Sequence, residues 1–207
     1  MFNAAITPKT YRLLKLVMAK PSFRTFYLAG GTALALQIGH RHSEGLDFFT
    51  SKEFSANLVN AFPTDYKTIH LFDNSIELIA EDSKVMFWYY GYQLRFKLKI
   101  TRGLRLADPR DIGLMKLLVL QGRTSRKDIY DLYFVDREII KLDKLLELFD
   151  KFYPKDKVNA YSSFKELLNI DVLKLEPDPI LIKPVKWIDA FNVVSGAIGG
   201  YINTAIR

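Results

Sequence analysis

The 207-residue chain contains no cysteine. Disulfide staples, thiolate metal sites and thiol nucleophiles are therefore excluded, and the composition suits a reducing compartment. Histidine is scarce: His40, His42 and His70 lack the spacing and companions of a metal site. No long polar or low-complexity tract occurs, so no large disordered region is expected. Long apolar runs are missing too. The N-terminal MFNAAITPKTYRLLKLVMAK lacks the apolar run ending in small residues that marks a signal peptide. The most apolar late stretch, 187–206, carries Asp189, Asn192, Asn203 and three glycines, and falls short of a membrane span. These absences predict a cytoplasmic protein with no membrane partner.

What is present is ordinary for a globular protein. Hydrophobic residues make up 49% and charged residues 26%, enough for a substantial core in one domain or one and a half. Net charge is +7, from 30 Lys+Arg against 23 Asp+Glu, which leans towards a phosphate-bearing partner.

Punctuation and periodicity organise the chain. Thr7-Pro8 is an N-cap with first-turn proline, Tyr11, Leu14 and Met18 follow at helical spacing, and Pro21 stops a helix over 8–19. Phe26–Ala29 reads as a short buried strand, broken by Gly30-Gly31. Thr32 then caps a helix to Gly39, and Leu46–Thr50 is the next strand. A helix is expected over 51–62, closed by Pro63. Strands are expected at 66–72, 76–80, 85–90 and 93–100, separated by turn clusters such as Asp73-Asn74-Ser75 and Glu81-Asp82-Ser83. Over Leu94–Ile100 the alternation is strict, one face apolar and the other cationic. From Asp108 onward helices dominate, beginning near Pro109 and Ser125, then 142–153 and 157–168. A proline-rich extended piece spans 177–184, and a last helix follows Trp187. This order predicts an α+β fold: helices on a mixed sheet, with a mainly helical C-terminal extension.

One stretch carries more. Phe26-Tyr27-Leu28-Ala29-Gly30-Gly31-Thr32 leads through a short helix to His40-Arg41-His42-Ser43-Glu44-Gly45-Leu46-Asp47. Further along stand Asp108-Pro109-Arg110-Asp111, Met115-Lys116-Leu117, Gly122-Arg123, Arg126-Lys127-Asp128-Ile129-Tyr130-Asp131, and a weaker Leu181-Ile182-Lys183-Pro184-Val185-Lys186-Trp187. In this order and spacing the chain resembles the AbiEii/AbiGii toxin family, nucleotidyltransferase-like proteins of the DNA polymerase β-type superfamily. The resemblance implies a nucleotidyltransferase-type sheet flanked by helices over 1–137, with a helical region over 138–207 packed on it.

It also implies a bacterial toxin–antitoxin or abortive-infection role: transfer of a nucleotide from an NTP to an acceptor such as tRNA, with Mg²⁺, and a cognate antitoxin as partner. Glycines before a helix let backbone N–H groups approach phosphates. An Asp-x-Asp pair on a strand turns both carboxylates to one side, where they hold Mg²⁺ on the triphosphate. A third carboxylate on a neighbouring strand completes such a site.

By this resemblance Gly30, Gly31, Thr32, Arg41 and Ser43 contact nucleotide, Asp47 binds metal, and Lys127, Asp128 and Asp131 serve catalysis. Each has a plainer reading. Gly30-Gly31-Thr32 is also a tight strand-to-helix turn. Arg41 is also a solvated cation and Ser43 a strand-initiating serine. Lys127, Asp128 and Asp131 are also a surface ion pair with first-turn acids. The cationic run Arg95, Lys97, Lys99, Arg102 and Arg105 is a solvated face or an RNA- or partner-binding stripe. Phe87-Trp88-Tyr89-Tyr90 reads first as core, and second as a surface for stacking on bases. One departure matters: Gly45 stands where the pair's first acid belongs, and 85–90 holds no acid. The metal site is therefore expected to be weak, with Glu44 and Glu77 as substitute acids. A non-catalytic member that binds nucleotide, RNA or a protein partner is the alternative.

Overall fold

A computed structural model describes residues 1–120, 125–153, 164, 173 and 175–205. It falls into two compact units, Met1–Asp108 and Pro109–Arg207. The expected domain boundary lies at 137/138, whereas the compact units divide at 108/109.

In the first unit, helix α1 (Pro8–Ala19) starts where Thr7 accepts a hydrogen bond from the Thr10 N–H, with proline at the first position. Strands β1 (Tyr27–Leu28), β2 (Leu46–Thr50), β3 (Lys67–Phe72), β4 (Ser75–Ala80), β5 (Ser83–Tyr89), β6 (Lys99–Thr101) and β7 (Leu104–Leu106) form one sheet in the order β3-β4-β5-β2-β1-β7-β6. The sheet is mixed: β1 pairs parallel with β7 and β2 parallel with β5, while the other ladders are antiparallel. The core is aromatic. Phe48 and Phe87 are register partners on β2 and β5 and stack at 5.0 Å, and Phe23 stacks on Phe87 at 5.0 Å. The expected α+β class holds.

Several local expectations do not. Helix α2 runs Gly30–Ile38, so it begins at the glycines themselves and Thr32 lies inside its first turn rather than capping it. The expected helix over 51–62 is only a 3-10 segment, Ala56–Ala61. Its flank is claimed by the β3–β4 turn: Phe54 N–H donates to Asn74 Oδ1 at 2.8 Å and Ala56 N–H to Asp73 Oδ1 at 2.7 Å. Those backbone donors find tertiary acceptors instead of helical ones. The long strand over 93–100 shrinks to β6, although exposure still alternates, with Arg95, Lys97 and Lys99 out and Leu94, Phe96 and Leu98 half-buried. Strand β7 went unforeseen because it is only three residues long and its Arg105 falls in the cationic run. The Arg105 guanidinium is an anchor, not part of a solvated stripe: it donates to the carbonyls of Phe26, Phe23 and Met18 at 2.8, 3.0 and 3.3 Å. In the aromatic run, Phe87 is core, whereas Trp88 and Tyr89 are exposed.

The second unit contains α3 (Pro109–Val119), α4 (Arg126–Glu138), α5 (Leu142–Phe152) and α6 (Trp187–Ala205). Ser125 caps α4 through the Asp128 N–H, and Leu142, Leu145, Leu146 and Phe149 bury one face of α5. Gly122, Arg123 and nearly all of the expected helix over 157–168 lie outside the described residues. Among the described residues no helix is long and apolar enough to cross a membrane.

Candidate active site on the sheet and the carboxylates of the helical unit

The strand–turn–helix–strand path from Tyr27 to Thr50 returns β2 beside β1, and this brings Asp47 to the glycine turn. Ala29 N–H donates to the Asp47 carbonyl at 2.9 Å. Gly30 has φ +63°, and a Cβ placed there would overlap the Asp47 carboxylate, whose Cβ and Cγ lie 3.2 Å from that point. Only glycine satisfies both demands. The Asp47 carboxylate therefore sits at the start of α2, where first-turn N–H groups favour negative charge.

Thr32 and Ser43 shape the same corner from beneath. The Thr32 hydroxyl donates to the Gly45 carbonyl and lies 2.7 Å from the Ser43 hydroxyl, while Ser43 N–H donates to the Ala5 carbonyl at 2.8 Å. Thr32 is buried, so it fixes the approach to β2. Arg41 is also buried, at 4% exposure, and its Nη1 donates to the His42 carbonyl at 3.0 Å; it is no solvated cation.

Burial along β2 alternates. Leu46, Phe48 and Thr50 point into the core, while Gly45, Asp47 and Phe49 are half-buried on the other face. Gly45 thus stands on the Asp47 side of the sheet, where an acid in the family pattern would stand. Strand pairing fixes the neighbouring position: Asp47 pairs with Met86, and Met86 with Glu77. No carboxylate stands beside Asp47 on β5. Glu77 is two strands away, about 10 Å by strand spacing, and is engaged with Lys84 at 2.8 Å. Glu44 is exposed.

The helical unit handles its acids differently. Asp128 and Asp131 are buried, at 3% and 0% exposure, and both bind Lys116 of α3, at 2.5 and 2.8 Å. Ser125 Oγ donates to Asp128 Oδ2 at 2.9 Å. Lys127 is exposed. The expected meeting of Lys127 with Asp131 on one helix face is replaced by a buried pairing with Lys116, because the carboxylate face of α4 is its inner face. Lys116 was in view within Met115-Lys116-Leu117, but its spacing from Asp128 across a helix connection hides the contact from a single-helix periodicity. Nearby, the Tyr130 phenol donates to Asp178 at 3.1 Å, and burial together with that carboxylate pushes its pKa up to about 12.

Comparison with known proteins adds a family match over part of the chain. Residues 12–103 match the nucleotidyl transferase AbiEii toxin family of type IV toxin–antitoxin systems. The match covers the glycine turn and Asp47 and stops before Lys116 and the acids of α4. Protein aq_aa25 of Aquifex aeolicus (strain VF5) is 32% identical over 133 residues, 59% of this chain. The chain spans 65% of that relative's length. Two solved structures share the fold. JHP933 of Helicobacter pylori has a TM-score of 0.56 at 18% identity, covering 95% of this chain and 90% of its own. The nucleotidyltransferase toxin MenT4 of Mycobacterium tuberculosis H37Rv has 0.53 at 14%, covering 93% and 84%.

The resemblance over 12–103 implies a divalent cation. Among the described residues no group of three or more His, Asp or Glu gathers as a ready cage. The donors fit a hard cation that arrives on phosphates: one carboxylate, Asp47, in a corner that the absent Gly30 Cβ leaves open.

Proposed function

We propose that this protein is a toxin–antitoxin-type nucleotidyltransferase, moving a nucleotide from an NTP to an acceptor such as tRNA, with Mg²⁺ as the cation. The observation that carries this reading is the packing of Asp47 against Gly30 at the start of α2. Asp47 would hold the cation, which when bound neutralises charge on the triphosphate. Gly30 and Gly31 offer first-turn N–H groups to phosphate oxygens. Thr32, Ser43 and Arg41 keep β2 in place beside them. In the transfer the acceptor hydroxyl oxygen bonds to the α-phosphorus, the α–β bridging bond breaks, pyrophosphate leaves and the hydroxyl proton passes to water. In the same reading residues 1–137 form the nucleotidyltransferase module and 138–207 its helical extension. Lys127 is the exposed cation available for phosphate, with Asp128 and Asp131 ordering its helix through Lys116. A cytoplasmic location and a cognate antitoxin belong to this reading.

A second reading is favoured by Gly45 and by Met86 beside Asp47: a member that binds nucleotide, RNA or a protein partner without turnover. Calorimetry with NTP and Mg²⁺, run beside transfer of α-labelled nucleotide to a tRNA pool, separates the two. Labelled RNA supports transfer. NTP binding with no labelled product supports the second reading in its nucleotide-binding form, and neither binding nor labelling removes every nucleotide role and leaves only RNA or partner binding.

A further inference from the structure

The sheet face that carries Asp47 also carries an aromatic row in an order set by strand pairing. Phe49 pairs with Trp88, Trp88 with Ser75, and Ser75 with Phe72. Directly paired residues share a face, so these four side chains line one side of β2, β5, β4 and β3. The next row on that side reads Asp47, Met86, Glu77, His70. Phe49 is packed between Tyr27 at 6.4 Å and Tyr90 at 6.0 Å. Trp88 and Phe72 are different: they are 38% and 62% exposed, with only the small Ser75 between them.

The result is an exposed pair of aromatic rings about 10 Å apart by strand spacing, with Ser75 between them. The Trp88 end lies about 8 Å from Asp47 by strand rise and spacing. Leaving large aromatic rings in water is unfavourable and marks a binding surface when they are contiguous. Cations stand on the same face: Lys67 and Lys84 flank Ile79 two rows from the aromatics, Lys84 paired with Glu77 at 2.8 Å, and the whole chain carries net charge +7. Exposed aromatics on a sheet with cations around them suit unpaired nucleobases, whose faces stack while their phosphates meet the charges.

We propose that the outer face of β5, β4 and β3 is a stacking platform for the single-stranded end of a nucleic-acid acceptor. Trp88 takes the base nearest Asp47 and Phe72 a base farther out. The proposal rests on the transfer reading above for the acceptor's role, but its test involves no transfer.

The full chain carrying Trp187→Phe leaves Trp88 as the sole tryptophan, since the protein has two. Its fluorescence is followed while three probes are added without Mg²⁺: a nine-nucleotide unstructured RNA, a duplex of the same sequence, and ATP. The single strand is expected to quench Trp88. In fluorescence anisotropy with the fluorescein-labelled single strand, Trp88→Ala should weaken binding about 5- to 150-fold, the effect of losing one stacked base. Phe72→Ala should weaken it less, Trp88→Phe should retain most of it, and Ile100→Ala, exposed on β6, should change nothing. Duplex binding should be weaker than single-strand binding and insensitive to Trp88→Ala. Circular dichroism identifies any variant that fails to fold, in which case Trp88→Phe and the quenching data carry the test. Wild-type affinity in folded Trp88→Ala and Phe72→Ala overturns the platform, as does equal affinity for duplex and single strand. Loss of ATP affinity with RNA affinity intact assigns Trp88 to the incoming nucleotide and overturns the acceptor role. A chain that fails to label tRNA yet passes these binding tests keeps the platform and loses the transfer reading.

Discussion

The carboxylates of the sheet unit and those of the helical unit are the same chemical group in opposite surroundings. Asp47 sits half-buried on a sheet face, against a glycine that leaves room for it. Asp128 and Asp131 sit inside their helical unit with Lys116 between them. A half-buried carboxylate at a helix start remains within reach of a cation from solvent. A buried pair already neutralised by a lysine stabilises a specific helix packing, and releasing it would leave charge in a low-dielectric interior. A run such as Lys127-Asp128-x-x-Asp131 therefore says which residues are held together only when the direction of the helix face is known.

The sharpest way to break this contrast is to remove the lysine. Lys116→Ala should destabilise the protein by about 3–5 kcal/mol, the cost of leaving buried carboxylates without their cation. Lys127→Ala should stay within about 0.5 kcal/mol, as an exposed substitution. Urea titrations of the two variants check this, and equal effects would contradict the buried pairing with Lys116.

The glycine corner comes next. Gly30→Ala places a side chain at positive φ, with a cost of about 1–3 kcal/mol, and pushes on the Asp47 carboxylate. Thermal melts should show the loss, and NTP–Mg²⁺ affinity should fall with it. Gly45 is the counter-case. A Cβ there meets only the Lys84 carbonyl, at an ordinary 3.5 Å. Gly45→Asp should fold near wild-type stability and gain NTP–Mg²⁺ affinity in calorimetry, and Asp47→Asn in that background should remove the gain. Unchanged affinity in Gly45→Asp would mean that the corner no longer accepts a metal–nucleotide pair.

A smaller effect is expected at high pH. The Tyr130 phenol ionises near 12, above its ordinary value of 10, because burial and Asp178 oppose a phenolate. Its folded pKa exceeds its unfolded one, so the stabilisation is complete below pH 10 and is lost as pH rises towards 12. Tyr130→Phe should flatten the difference in stability between pH 10 and 12, measured by denaturant titration against wild type. An identical slope in both proteins would assign the alkaline loss to other groups.

The α+β class, α1, β2 and the glycine turn were legible because local signals and tertiary packing agree there. Thr7-Pro8 and Pro21 bracket α1, and the alternation Leu46-Asp47-Phe48 survives as burial on β2. The 51–62 segment was misread because its helical composition competes with acceptors on Asp73 and Asn74 from another part of the chain. Strand β7 was hidden by its three-residue length and by Arg105, whose charge satisfies three carbonyls that no local pattern announces. At the site, the sequence already showed that Gly45 lacks an acid. The register that places Met86 beside Asp47 needed the sheet, since a one-residue slip would turn every side chain of β5 to the other face.

The central claim is that Asp47, in its corner against Gly30, is where this protein handles a nucleotide. The most direct measurement is transfer of α-labelled nucleotide to a tRNA pool with Mg²⁺, by wild type and by Asp47→Asn at matched folded concentration. Labelling by wild type that falls at least ~100-fold in Asp47→Asn, a loss of about 2.7 kcal/mol in transition-state stabilisation, is the expected result. No labelling by wild type would remove transfer and leave the claim to NTP binding; equal labelling by both proteins would contradict it.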